Sequence, residues 1–229
     1  ANQPSMLPPV GIDRGIANTL MLSTGEAFQM PASLEAIERR KRRLQRAAAR
    51  KKRDSTRRAK ALRRIARLSA QSARVRRDFQ HKAALSVASR FGAVVLEDLK
   101  VRNMTASAKG TIAQPGRRVQ QKAGLNRAIL AQGWGGFETV LAYKVEERGG
   151  TLHMIEPTYT SQTCSACGAV DSQSRESQAR FSCRHCGFAI HADHNAAINI
   201  LRRNTASMRM EDGRQPACEV RTQGGLALV

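Results

Sequence analysis

The stretch "CRHCGFAIHADHNAAINIL", residues 183–201, runs a Cys-x-x-Cys knuckle straight into a helix start at Asp193. A matching pair lies upstream, and the full spacing is C-x2-C-x15-C-x2-C over Cys164, Cys167, Cys183 and Cys186. Zn²⁺ favours four thiolates in a tetrahedron, and two Cys three positions apart supply adjacent vertices. Gly168 and Gly187 each follow the second Cys of their pair, where the turn benefits from a backbone without a Cβ. Four protein ligands leave no open position, so the spacing predicts a structural zinc site. His185, His191 and His194 stand close enough to be rival ligands but are unneeded. The fifth cysteine, Cys218, reads as an unpaired bystander. With no export signal at the N-terminus, the thiols read as a metal site in a reducing, cytoplasmic compartment and not as a disulfide framework.

Outward from the knuckles the pattern is that of an interrupted domain. "TLHMIEP" (151–157) precedes them as a strand, and "DHNAAINILRR" (193–203) follows as a helix. The intervening 157–190 is a small metal module inserted before that helix. "GLNRAILAQGWGGFETVLAYKVEERGG" (124–150) reads as one helix with a core stripe of Leu130, Trp134, Phe137, Leu141 and Val145, stopped at Gly149–Gly150. "GAVVLEDLKV" (92–101) is a buried strand, and the polar run 102–124 behind it a long loop. At the other end, "VGIDRGIANTLMLSTGEAFQM" (10–30) gives two or three short strands with a hairpin signal at Thr24–Gly25. Residues 1–9 are Pro-rich and read as a linker, and 204–229 lack periodicity and read as a flexible tail. The order predicts an α/β fold: a mixed sheet with a helical insertion and an inserted zinc ribbon.

The helical insertion is residues 34–91, which hold 21 Lys and Arg against four Asp and Glu. Residues 34–91 have neither Gly nor Pro. A break near "RDST" (53–56), where Asp54, Ser55 or Thr56 can cap, divides them into a hairpin. The second arm carries one narrow apolar stripe: Leu62, Ile65, Leu68, Ser72, Val75, Phe79, Ala83, Val87 and Phe91. Charge runs on solvated faces usually mix both signs, whereas here one sign dominates. The whole chain has 229 residues and a formal charge of +21, a field that favours a polyanionic partner, nucleic acid above all. The basic residues lack flanking aromatic anchors, and no apolar run approaches the roughly 20 residues of a membrane span, so no membrane partner is expected.

Three carboxylates stand at element ends: Asp13 in "GIDRG", Glu97 or its neighbour Asp98 in "VVLEDL", and Asp193 at the last helix start. Singly they read as a turn residue, a surface charge and an N-cap. Jointly they can meet at one sheet edge. Three carboxylates at one point repel unless cations intervene, and oxygen-only ligands select Mg²⁺ or Mn²⁺. Two such ions suit an in-line phosphoryl displacement, so the acids and the basic arm point to one chemistry, hydrolysis of a phosphodiester. Strand alternation admits only one of Glu97 and Asp98 and does not choose between them.

The motifs "GIDRGIA", "VVLEDLKVRNMT", "AGLNRAILAQGWG", "YTSQTCSACG", "CRHCG" and "ADHNAAINIL" together resemble the C-terminal half of the transposon-encoded TnpB (OrfB-type) RNA-guided DNA endonucleases, relatives of the type V CRISPR effectors. The match runs in unbroken order over about residues 10–203. The resemblance implies a RuvC-like nuclease domain of RNase H-like fold, with the zinc ribbon binding target nucleic acid. It implies Asp13, Glu97 and Asp193 as catalytic magnesium ligands, and so favours Glu97 over Asp98. Guide RNA and target DNA are the partners implied, in a bacterial cytoplasm at the nucleoid. The family also carries an N-terminal guide-binding half, which the segment before Val10 is too short to supply. Guided activity is then expected to need that half or a partner chain. The rival readings are a nucleic-acid-binding module that does not cut and a subunit awaiting its partner.

Overall fold

The structure is a computed structural model that describes residues 7–211, with side chains described to residue 205. Its central sheet is built where the sequence is most continuously apolar. β1 (Pro9–Asp13) and β4 (Ala93–Glu97) are buried over most of their length, as strands covered on both faces must be. They pair in parallel, with Gly11 opposite Val95 and Ile12 opposite Leu96. β4 pairs in parallel with β5 (Thr151–Ile155), and β1 pairs antiparallel with β2 (Leu20–Leu22), which continues to β3 (Ala27–Phe28). The sheet order is β3-β2-β1-β4-β5. Because β1 and β4 run the same way, Asp13 and Glu97 end their strands at the same edge, the edge where open α/β sheets place their ligands.

The basic segment forms a helical hairpin of α1 (Ala32–Ala49) and α2 (Thr56–Ala88). Ser55 caps α2, its side chain accepting from the Arg58 N–H at 3.2 Å. The inner half of the α2 stripe enters the main core: Phe79, Ala83, Val87 and Phe91 pack with the sheet and with Phe137, Leu141 and Val145. The outer half is covered by α1 alone, so its apolar strip is narrower than expected. Leu62 is exposed there and the smaller Ala61 is buried in its place.

Two further expectations change. The predicted helix 124–150 is two helices, α4 (Val119–Gln132) and α5 (Trp134–Glu146), broken at Gly133, whose φ of 65° is left-handed. The break turns Leu130 to solvent and Ile129 inward, while Trp134, Phe137, Leu141 and Val145 are core as expected. The polar run 102–124 is not one loop, since it contains most of the short α3 (Val101–Met104) and the first turn of α4.

Beyond β5, residues 157–191 form a small separate unit around β6 (Arg180–Ser182) and β7 (Ala189–His191), which pair antiparallel. The last helix, α6 (Ala192–Glu211), lies across the sheet and packs on β1. The contact is backbone to backbone: a Cβ on Gly11 would sit 2.3 Å from the Ala197 carbonyl oxygen and 2.6 Å from the Leu201 nitrogen. α6 runs eight residues past the predicted end at 203, into the stretch expected to be tail. Pro9, expected in the linker, begins β1. Cys218 and the rest of the expected tail lie outside the described residues.

Candidate active site and cysteine cluster

Asp13, Glu97 and Asp193 line one cleft of about 280 Å³. β1 delivers the first, β4 the second and the first turn of α6 the third. Glu97 and Asp193 are 7% and 8% exposed, unusual burial for ionisable groups. Asp98, the competitor, turns away and pairs with Lys100 in solvent. The sheet pleat therefore separates the two neighbours that the sequence alone left open.

The cleft is electrostatically strained. The Asp13 carboxyl is pushed up to about 7, first by burial and then by the negative fields of Glu97 and Asp193, with Arg175 offsetting part of the effect. Burial also raises Glu97, against the Thr160 hydroxyl and the Arg14 and Arg203 guanidiniums. Asp193 accepts from the Asn18 amide at 3.1 Å, and its other oxygen lies 3.6 Å from the Arg175 guanidinium. Arg14 donates to the Glu97 main-chain oxygen and pairs with Glu138 of α5 at 2.8 Å, so it binds the ends of β1 and β4 to α5. Oxygen ligands of this kind suit Mg²⁺ or Mn²⁺. Among the described residues only the four thiols bring their ligand atoms within 4.8 Å of one another, so the carboxylates are spread more widely than a single small ion requires.

Arg14, Asn18, Thr160 and Arg175 escaped the sequence reading. Arg14 directly follows Asp13 and Thr160 lies in the YTSQTCSACG motif, so a local signal marked both. Arg175 is one of 39 Lys and Arg, and nothing local marks it as the cation that reaches the acids.

The four thiols form the second site. Cys164 Sγ lies 3.8 Å from Cys186 Sγ, and Cys167 Sγ 3.7 Å from Cys183 Sγ. These are the edge lengths of a tetrahedron whose centre is about 2.3 Å from each sulfur, the Zn–S bond length. Each knuckle closes with a main-chain bond of 2.9 Å, Gly168 N–H to Cys164 O and Gly187 N–H to Cys183 O, and both glycines are left-handed. The main-chain N–H groups of Cys186 and His185 hold the Cys183 thiol down to about 6. Although the Phe188 N–H favours its thiolate, Cys186 is pushed up to about 12 by desolvation and by the three neighbouring sulfurs. Four adjacent thiols cannot all ionise without a cation, which is what a structural metal supplies. The histidines stay outside: His194 contacts the Ser23 oxygen at 3.1 Å, His191 Nδ1 accepts from the Asp193 N–H at 3.3 Å, and His185 is exposed.

Two family models match the chain. The model described as "Probable transposase" (OrfB_IS605) covers residues 2–108, and "Cas12f1-like, TNB domain" covers 134–200. A protein of Escherichia coli (strain K12) named as an RNA-guided DNA endonuclease, InsQ, is 43% identical over 84% of this chain and 48% of its own length. One from Streptomyces pristinaespiralis, named in the same way, is 33% identical over 94% of this chain and 50% of its own. The chain thus spans about half the length of the curated relatives it matches. Among solved structures, a Cas12f1 protein seen in a complex with single-guide RNA and target DNA superposes with a TM-score of 0.60. That match is 20% identical, over 89% of this chain and 51% of the other, and shows a shared fold.

Proposed function

Because the chain belongs to the TnpB-type (OrfB) family of RNA-guided endonucleases, related to the type V effectors, we propose that it is the nuclease region of such an enzyme, cutting phosphodiester bonds of target DNA. The observation that carries the reading is the meeting of Asp13, Glu97 and Asp193, from three distant parts of the chain, in one cleft. In this reading Asp13, Glu97 and Asp193 would together hold two Mg²⁺ or Mn²⁺ ions. The ions supply charge stabilisation for the attacking and leaving oxygens of an in-line displacement. Asn18 and Thr160 orient the acids, and Arg175 faces the scissile phosphate.

The finer architecture follows the same reading. Residues 10–156 form the first part of an RNase H-like domain, with the basic hairpin of 34–91 as its insertion. Residues 157–190 are a zinc ribbon held by Cys164, Cys167, Cys183 and Cys186, which grips the target strand, and 191–203 complete the domain. The hairpin holds a guide–target duplex by its phosphates without reading bases. Guide RNA, target DNA and a guide-binding half or partner chain are the proposed partners, in the bacterial cytoplasm at the nucleoid. Among the described residues no helix is long and apolar enough to cross a membrane.

The test is cleavage of labelled single-stranded DNA with Mg²⁺ or Mn²⁺ by this chain and by its Asp193→Ala variant. Metal-dependent cutting that the variant loses by at least about a hundredfold is expected. Cutting that survives in Asp193→Ala would place the chemistry elsewhere.

A further inference from the structure

The segment Thr160–Ser165 is held from two sides. Cys164 ties it to the thiol cluster. One face of α6 ties it to the helix that also carries Asp193. Asn195, Asn199 and Arg202 recur at helical spacing and reach the segment's main chain. The Asn195 amide donates to the Thr163 oxygen at 2.7 Å, while its Oδ1 accepts from the Ser165 N–H at 2.9 Å. The Asn199 amide donates to the Thr160 oxygen at 2.9 Å and to the Thr163 oxygen at 2.6 Å. Arg202 donates to the Ser165 oxygen. Asn195 is 0% and Asn199 5% exposed, so water does not compete for these bonds. At the other end of the segment, the buried Thr160 hydroxyl donates to Glu97 Oε1.

We propose that Thr160 is a positioning residue, and that the Asn195–Asn199 clasp makes the orientation of Glu97 depend on whether the thiol cluster is filled. The proposal rests on the reading of Glu97 as one of the cleft's cation-binding acids. A hydroxyl bonded to one carboxylate oxygen fixes the carboxylate plane and leaves the other oxygen for a cation, as partners of metal ligands commonly do. With the thiols filled, Cys164 and the clasp hold the segment, and Thr160 is aimed at Glu97. With the thiols empty, the Cys164 end is released and the hydroxyl loses its aim. By reciprocity, a cation in the cleft then favours the filled cluster. The two metal sites would act as one unit although they share no ligand.

The test uses the full chain with Zn²⁺ in the thiols and again after chelation and removal of the chelator. Mn²⁺, a hard ion with little affinity for thiolates, probes the cleft by electron paramagnetic resonance, and amide hydrogen exchange follows residues 94–99 and 158–165. Emptying the thiols is expected to speed exchange in both stretches and to weaken Mn²⁺ binding about tenfold. Thr160→Val with Zn²⁺ retained is expected to weaken Mn²⁺ binding by a similar factor, and Thr160→Ser to restore it. Emptying the thiols of Thr160→Val should add little, because both changes break the same link. The proposal is overturned by exchange at 94–99 that ignores the thiols, by factors that multiply independently, or by equal Mn²⁺ affinity in the native and Thr160→Val proteins. The Thr160 pair needs no chelation, so it decides the positioning role even where emptying loosens the whole module. A zinc-filled native protein that binds no Mn²⁺, while exchange at 94–99 still follows the thiols, overturns the cation reading of the cleft and leaves the linkage standing.

Discussion

Asp13 is held against its ordinary ionisation. Its carboxyl is held up near pH 7 by burial and by two neighbouring acids. The folded chain therefore keeps a proton that the unfolded chain releases near pH 4. In the ion-free protein, stability must fall as pH rises from about 4 to 7 and level off above, since ionisation there favours the unfolded state. Asp13→Asn is expected to flatten this slope and to stabilise the ion-free protein at pH 8 by on the order of 3 kcal/mol, while abolishing cleavage. Thermal denaturation across pH 4–8, with chelator and with Mg²⁺, checks it. A slope unchanged by the substitution would exonerate Asp13. At this scale the acids were legible in the sequence because each sits at the end of a predicted element. Their polar partners were not, because the Thr160–Glu97 bond spans 63 residues and no local signal marks it.

Element by element, periodicity found the strands and the basic hairpin, since both are long relative to their patterns. It missed the break at Gly133, because a glycine inside a helical pattern can be tolerated and does not by itself mark an interruption. It also placed Leu62 and Leu130 in a core that the neighbouring helices do not extend to cover. The joint of β1 against α6 rests on one missing Cβ. Gly11→Ala would push the Ala197 carbonyl and the Leu201 backbone away from the sheet, and both belong to a rigid helix. It is expected to destabilise the chain by about 3 kcal/mol or more, and to displace Asp193 relative to Asp13. Urea denaturation measures the first effect. A stable Gly11→Ala protein with unchanged Mn²⁺ binding would show that the helix can ride up without disturbing the cleft.

For the whole molecule the governing quantity is charge. With +21 overall and 21 Lys and Arg in residues 34–91, binding to single-stranded DNA should weaken steeply as salt rises. Replacing the exposed Arg63, Arg64 and Arg67 of α2 by Gln is expected to reduce the slope of log K against log salt by up to about 2. The loss should be the same for unrelated DNA sequences, as the contacts are to phosphate. A slope that does not move would take the hairpin out of the binding path. The sheet order has a consequence of another kind. Asp13 and Asp193 stand 180 residues apart, and the strand bearing the first is closed over by the helix bearing the second. At a synthesis rate of about 5–20 residues per second, roughly 10–40 seconds separate the two. During that interval the nascent polypeptide already displays its cationic arm, while the cleft still lacks its third acid. On the proposed reading, a ribosome making this protein exposes the basic arm well before the cleft of the nuclease is complete.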